Sequence, residues 1–218
     1  MCQVKHRDNF GRLLCYVHKQ GEHYNLKLVR DGWSPYFEKY GRSRLYHREF
    51  SQAESEAQSH LRAIWNPLTN DGGPTRPYDI LRPWWSLRGA LVDDYRRAVA
   101  SAPAARLLDV RLDYPALFAA AQAHSFVTVL CDLQQGIRQW IDDGALIWAG
   151  SAQHAFNLRI PNLESSVAQR IVQLVQLRYG GTGRRNYVYV SGIPTLHHDI
   201  PVITLTRLNQ LSDFPPGG

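Results

Sequence analysis

The stretch Asn66-Pro67-Leu68-Thr69-Asn70-Asp71-Gly72-Gly73-Pro74-Thr75-Arg76-Pro77 constrains the architecture more than any other part of the chain. Proline removes a backbone donor and fixes φ, glycine loses much entropy when ordered, and Thr, Asn and Asp favour turns, so neither a helix nor a strand is expected to run through it. A chain of 218 residues interrupted there falls into two parts, each long enough to bury a core. We expect a domain over residues 1–67, a linker over 68–83 and a second domain over 84–218.

In the first part, Leu13 to His18 reads as a strand, and Lys19-Gln20-Gly21-Glu22 as the turn after it. Tyr24-Asn25-Leu26 opens a short helix through Leu28 and Val29, which Gly32 closes because glycine tolerates positive φ. From Phe50, apolar residues recur at Ala53, Ala57, Leu61 and Ile64, one stripe of an amphipathic helix. Ser51 and Glu54 have the spacing of a capping box, with a start one turn earlier as the alternative.

In the second part, Leu87, Leu91, Tyr95 and Val99 recur every four residues on a helix whose other faces carry Arg88, Asp93, Arg96 and Arg97, and Ser101-Ala102-Pro103 stops it. Trp84 and Trp85 read as packing residues. Asp113, with Pro115 behind it, predicts a second helix to about Gln122. The period then changes to short strands over Phe126–Leu133, Gly136–Ile141, Ala145–Ala149 and Phe156–Ile160, with Asp142-Asp143-Gly144 as a hairpin turn. Leu163 to Leu177 carries Val167, Ile171, Leu174 and Val175 on one helical face, and strands over Tyr187–Ser191 and Val202–Leu205 follow. That order suits a small barrel of the oligonucleotide/oligosaccharide-binding (OB) type with one helix at its end better than it suits a parallel sheet.

Hydrophobic residues at 44% exclude a wholly disordered chain. Twenty-five Lys and Arg against nineteen Asp and Glu give +6, a surplus that favours polyanions without requiring them. Cys2, Cys15 and Cys131 cannot all pair with one another and have no zinc-ligand spacing, so they read as inert thiols. With no export leader and no apolar run of membrane-span length, the expected location is cytoplasmic, without a membrane partner.

Asp8-Asn9-Phe10-Gly11-Arg12 leads directly into the apolar run Leu13-Leu14-Cys15-Tyr16-Val17. Taken with Asn25 to Gly32, and with Glu54-Ser55-Glu56-Ala57 closing on Ile64-Trp65-Asn66-Pro67, it resembles the staphylococcal nuclease (thermonuclease) family over about residues 3–67. The resemblance implies the C-terminal part of that domain, because only residues 1–7 precede the motif. The fold class that follows is α+β, mainly β: a partial OB-fold, then a second small OB-like barrel with helices.

The resemblance also makes Arg12 a catalytic arginine, and an arginine beside Gly11 presents a planar fork that suits two phosphate oxygens. A surface arginine paired with Asp8 or Asp31 is the competing reading. Phe10 stands where the family has tyrosine, so it keeps a stacking face and loses a hydroxyl. Tyr40 is carried over as a base-contacting residue, while Tyr36 and Phe37, in the same region, are divided between contact and core packing. The family's second arginine, its calcium-binding aspartates and its glutamate all precede the motif and have no counterpart here. No metal site or cofactor is therefore expected in this chain, calcium belonging only to a complete family member, and enzymatic activity stays open. Asp109 and Asp113 are a weak substitute for the absent aspartates.

Arg184 and Arg185, with Tyr187 and Tyr189 on alternate strand positions, suit a single strand held by charge and stacking, or equally a solvated loop entering a half-buried strand. Arg42, Arg44 and Arg48 form a basic stretch, and His197-His198-Asp199 reads as a polar turn. The expectation is a nucleic-acid-binding protein of the thermonuclease family, weakly active or inactive alone, with single-stranded DNA or RNA as partner and a further chain completing the truncated barrel. The alternative is a protein-interaction scaffold that uses OB-like domains without nucleic acid.

Overall fold

The computed structural model describes residues 13–68, 76–101, 106–141 and 143–216. The fold is mixed α and β with substantial strand content, and it divides into two compact units after Gly89.

In the first unit, β1 (His18–Lys19) and β2 (Glu22–His23) form a tight antiparallel pair around Gln20 and Gly21, whose φ angles of 54° and 81° suit a two-residue hairpin turn. The strand expected from Leu13 shortens to this β1, and Leu13, Leu14 and Val17 are exposed. The His23 imidazole then caps α1 (Tyr24–Arg30), its Nδ1 accepting the Leu26 N–H at 3.2 Å. Gly32 closes the helix at φ +78°, and a Cβ there would lie 2.4 Å from the Arg62 carbonyl oxygen.

Helix α2 (His47–Ser59) starts one turn before Ser51, so the alternative start holds and the Ser51–Glu54 capping box does not. It buries Phe50, Ala53, Glu54 and Ala57, with Phe50 and Ala53 packing on Val29 of α1 together with Leu26, Tyr36 and Tyr46. Leu61 adopts φ 49°, ending the helix before the last two stripe positions, and a short turn of 3-10 helix follows at Ala63–Trp65.

Helix α3 (Tyr78–Ser101) begins inside the stretch expected to be linker. Its Pro83 forgoes one intrahelical hydrogen bond, and the helix continues through it because Trp84 and Trp85 next to it are buried. The division of the chain falls within this helix.

In the second unit, β3 (Leu107–Asp109) runs parallel to β4 (Val127–Asp132) across α4 (Tyr114–Gln122). The meander β5 (Ile137–Ile141), β6 (Gly144–Trp148) and β7 (Asn157–Pro161) pairs β5 with β6 across the turn expected at Asp142-Asp143-Gly144, of which Asp142 lies outside the described residues. Helix α5 (Ser166–Leu174), capped by the Ser165 hydroxyl, passes into a π-turn at Val175–Tyr179, which shortens the helix expected to reach Leu177. Strands β8 (Tyr187–Gly192), β9 (Thr195–His197), β10 (Ile200–Thr204) and β11 (Leu211–Ser212) complete two sheets, ordered β11-β8-β4-β3 and β5-β6-β7-β10-β9. Strand β8 is antiparallel to β4, whereas β10 is parallel to β7.

Strand alternation sends Val129, Cys131, Val188 and Val190 from one sheet, and Ile147, Leu158, Ile160 and Ile203 from the other, into one core with Ile171 of α5. Burial pushes the Cys131 thiol well above its ordinary pKa, which leaves it inert. No helix among the described residues is long and apolar enough to cross a membrane.

Candidate nucleic-acid interface

Phe10 and Arg12 lie outside the described residues. The segment between α1 and α2 carries the remaining residues that the resemblance selects in the first unit. Its Tyr36 serves as a pillar: the ring stacks on Phe50 at 5.1 Å, the backbone N–H donates to Glu54 Oε1 at 3.0 Å, and the hydroxyl accepts the Ser43 N–H at 2.8 Å. Burial pushes that phenol up to about 12, so it stays neutral and structural.

Phe37 makes an edge contact with Trp85 at 4.7 Å between ring centroids while staying 47% exposed itself. Gly89 of α3 permits this approach, since a Cβ there would meet the Glu38 carbonyl oxygen at 2.9 Å. Tyr40 is 54% exposed, and the Lys39 ammonium lies 5.3 Å from its ring centroid and 4.8 Å from that of Trp84. Arg42 pairs with Glu38 at 3.2 Å, while Arg44 and Arg48 are exposed. The surface thus offers an accessible aromatic ring among cations. Lys39 was not foreseen; its position beside two aromatic residues was the available signal.

Glu54, read from the sequence as a cap, is instead a buried strut holding Arg82 at 2.8 Å as well as the Tyr36 amide.

Residues 1–67 match the family described as Staphylococcal nuclease homologue. No curated protein and no solved structure matches the chain. The nuclease-like segment therefore contains Phe10, Arg12 and Tyr40 and excludes the whole second unit.

Outside that segment, the arrangement expected around Arg184 is corrected. Tyr187 and Tyr189 do share one face of β8, but that face packs against Leu91, Tyr95 and Leu107, leaving the rings 7% and 1% exposed and unable to receive a base. Arg185 is held to Asp213, Nε to Oδ1 at 3.1 Å, and only Arg184 projects into solvent.

Asp109 and Asp113 are structural as well. Asp113 Oδ2 accepts from the Tyr95 hydroxyl at 2.7 Å and from the Asp109 N–H at 2.8 Å, and Asp109 Oδ1 accepts from the Arg111 and Leu112 amides. Burial holds the Asp109 carboxyl above its ordinary pKa despite those donors. Among the described residues no group of three His, Cys, Asp or Glu side chains is placed to hold a metal ion.

Proposed function

We propose that this chain binds nucleic acid through its nuclease-like segment, with Arg12 meeting backbone phosphate, Phe10 and Tyr40 offering stacking faces, and Arg44, Arg48 and Lys39 supplying the surrounding charge. The observation that carries this reading is the match of residues 1–67 to the nuclease family. The exposed Tyr40 beside Lys39 supports it, because stacking and cation contacts together hold single strands without regard to sequence. Arg184 adds a solvent-facing cation in the second unit.

We further read residues 84–218 as an OB-like domain behind the linker. Support comes from the meander β5-β6-β7, the helix α5 after it, the return of β8 antiparallel to β4, and β10 parallel to β7.

The test is fluorescence polarisation of labelled single-stranded DNA and RNA with the whole chain, with calcium and with chelator, across a salt series. Retention that is independent of calcium and weakens with salt is the expected result, with a log-log slope of about 0.7 per phosphate neutralised. Absence of retention at low salt overturns the reading. A second reading, a surface for another protein, is favoured by the exposed apolar residues Leu13, Leu14 and Val17.

A further inference from the structure

The inner face of the β5-β6-β7-β10-β9 sheet is wholly apolar, with Ala145, Ile147, Leu158, Ile160 and Ile203 buried. The residues between them must face the other way, since strand side chains alternate. Register then aligns them in rows. Trp148 stands opposite Asn157, Asn157 opposite Val202, and Val202 opposite Thr195. The next row places Leu146 opposite Arg159 and Arg159 opposite Thr204. Five strands at ~4.8 Å spacing give a face roughly 19 Å across.

On β5 the register shifts between Ile137 and Gln139, leaving Arg138 at a bulge. A bulge re-aims its side chain. Here the Arg138 guanidinium lies 4.9 Å from the Trp148 ring centroid. These residues line an open groove of about 890 Å³.

Three features select the occupant. Trp148 is a large ring left 48% exposed in a concave surface, which offers a face to a planar group. Arg138 and Arg159 bring positive charge to the same surface, and the side chains of Asn157, Thr195 and Thr204 make no hydrogen bond among the described residues. The two arginines and the unpartnered polar side chains beside Trp148 suit a polyanionic strand better than the apolar side of a partner helix. Asp143 at the rim ion-pairs with Arg159 but is the more exposed of the two, at 62% against 40%, so an arriving phosphate competes with a solvated carboxylate.

We infer that this outer face binds single-stranded nucleic acid, with a base stacked on Trp148 and the backbone phosphates neutralised by Arg138 and Arg159. The inference rests on nucleic acid being the partner of this chain, but it assigns a second site that lies wholly outside the nuclease-like segment.

The test titrates the whole chain against fluorescein-labelled oligothymidylate and oligouridylate in chelator. Trp148→Ala and Arg159→Ala should each weaken binding about tenfold, in keeping with one lost stack or one lost phosphate contact, with the melting temperature unchanged. Asp143→Asn should tighten binding by releasing Arg159, and should no longer do so in the Arg159→Ala background. Wild-type affinity in both Trp148→Ala and Arg159→Ala overturns the inference.

A chain carrying Tyr40→Ala, Arg44→Ala and Arg48→Ala separates the two sites. If that variant alone loses the oligonucleotide, the groove inference fails and the nuclease-segment reading stands, whereas no binding by wild type at low salt removes both. Competition by thymidine monophosphate, or by duplex DNA, as effective as that by the single strand also overturns the assignment.

Discussion

Glu54 Oε1 accepts the Tyr36 backbone N–H at 3.0 Å from a side chain that is almost wholly buried. The other oxygen of the same carboxylate holds Arg82 at 2.8 Å, so one residue of α2 fixes both the loop that leads to Tyr40 and the first turns of α3. Glu54→Ala leaves the Tyr36 amide and part of the Arg82 charge without an acceptor. Its expected cost is about 1 to 3 kcal/mol. Arg82→Ala should cost less, because that guanidinium is partly solvated. Urea unfolding followed by tryptophan fluorescence checks the order, and equal losses in the two variants count against the strut.

The sequence made some of this legible and hid the rest. Gly32 as a helix stop and a turn at Asp142-Asp143-Gly144 follow from local stereochemistry, and Trp84 and Trp85 as packing residues from their bulk and apolarity. Glu54 looked like a cap because its partners, Tyr36 and Arg82, are 18 and 28 residues away and no local spacing encodes them. Tyr187 and Tyr189 illustrate the same limit. Alternation correctly put them on one face of a strand, but only packing against Leu91 and Leu107 decides that the face is buried. For the groove, the strands that carry Trp148 and Arg159 were readable, yet the rows across the sheet depend on a parallel pairing of β7 with β10 that periodicity cannot reveal.

His23 gives the first unit a pH dependence. Burial and the neighbouring His18, 4.7 Å away between ring centroids, lower its pKa, while a backbone hydrogen bond and Glu49 oppose them. A histidine depressed in the folded state contributes stability that is complete above its unfolded pKa of ~6.5 and is lost as pH falls from there through the folded value. The structural reason is that only the neutral ring accepts the Leu26 N–H. The protection factor of the Leu26 amide, which divides out the intrinsic slowing of exchange with acid, should therefore fall on acidification below neutral pH. His23→Asn, which retains a capping acceptor, should abolish that fall.

Asp213 acts in the opposite unit and at lower pH. Burial raises its pKa, but the Arg178 and Tyr179 hydrogen bonds and the charges of Arg185 and Arg178 outweigh it and hold the carboxyl below its ordinary value. Stability from this contact is present above the unfolded pKa of ~3.9 and lost as pH falls through the folded one. Asp213→Asn should thus destabilise at neutral pH by about 1 to 2 kcal/mol, and the gap from wild type should close below about pH 4. Thermal melts of both proteins at neutral and acid pH decide this, and a gap independent of pH rules the carboxylate contact out.

Gly32 is fixed by two requirements at once. Its φ of +78° is one that side-chain-bearing residues rarely adopt, and a Cβ would press on a backbone carbonyl at Arg62 that Ile64 and Trp65 cannot easily leave, since the Gly32 oxygen accepts the Ile64 N–H at 3.0 Å and the Arg62 oxygen accepts the Trp65 N–H at 3.0 Å. Gly32→Ala should cost at least about 1 kcal/mol, more than a φ penalty alone. Replacement by D-alanine through semisynthesis relieves the φ strain and moves the methyl to the other side of the chain, so its recovery of stability measures how much of the loss is contact with Arg62. Full stability in Gly32→Ala contradicts the close approach.

The two tyrosines of β8 provide a contrast with Tyr40 that separates packing from binding. Tyr187 sits at 7% exposure in a cluster with Leu91 and Leu107, so Tyr187→Ala should destabilise the second unit by about 3 to 5 kcal/mol, whereas Tyr187→Phe, which preserves the ring, should leave oligonucleotide affinity unchanged. Tyr40→Ala should do the reverse, because an exposed ring contributes little to the core but loses about 1 to 3 kcal/mol of stacking when a base is bound. Arg184→Ala, at a solvent-facing position, should change stability by less than about 0.5 kcal/mol and reduce the salt slope by about 0.7 if a phosphate lies against it. Denaturation midpoints and salt-dependent polarisation on the same four proteins read both axes. A drop in affinity for Tyr187→Phe at unchanged stability restores β8 as a contact surface and removes the reason to look for the strand elsewhere.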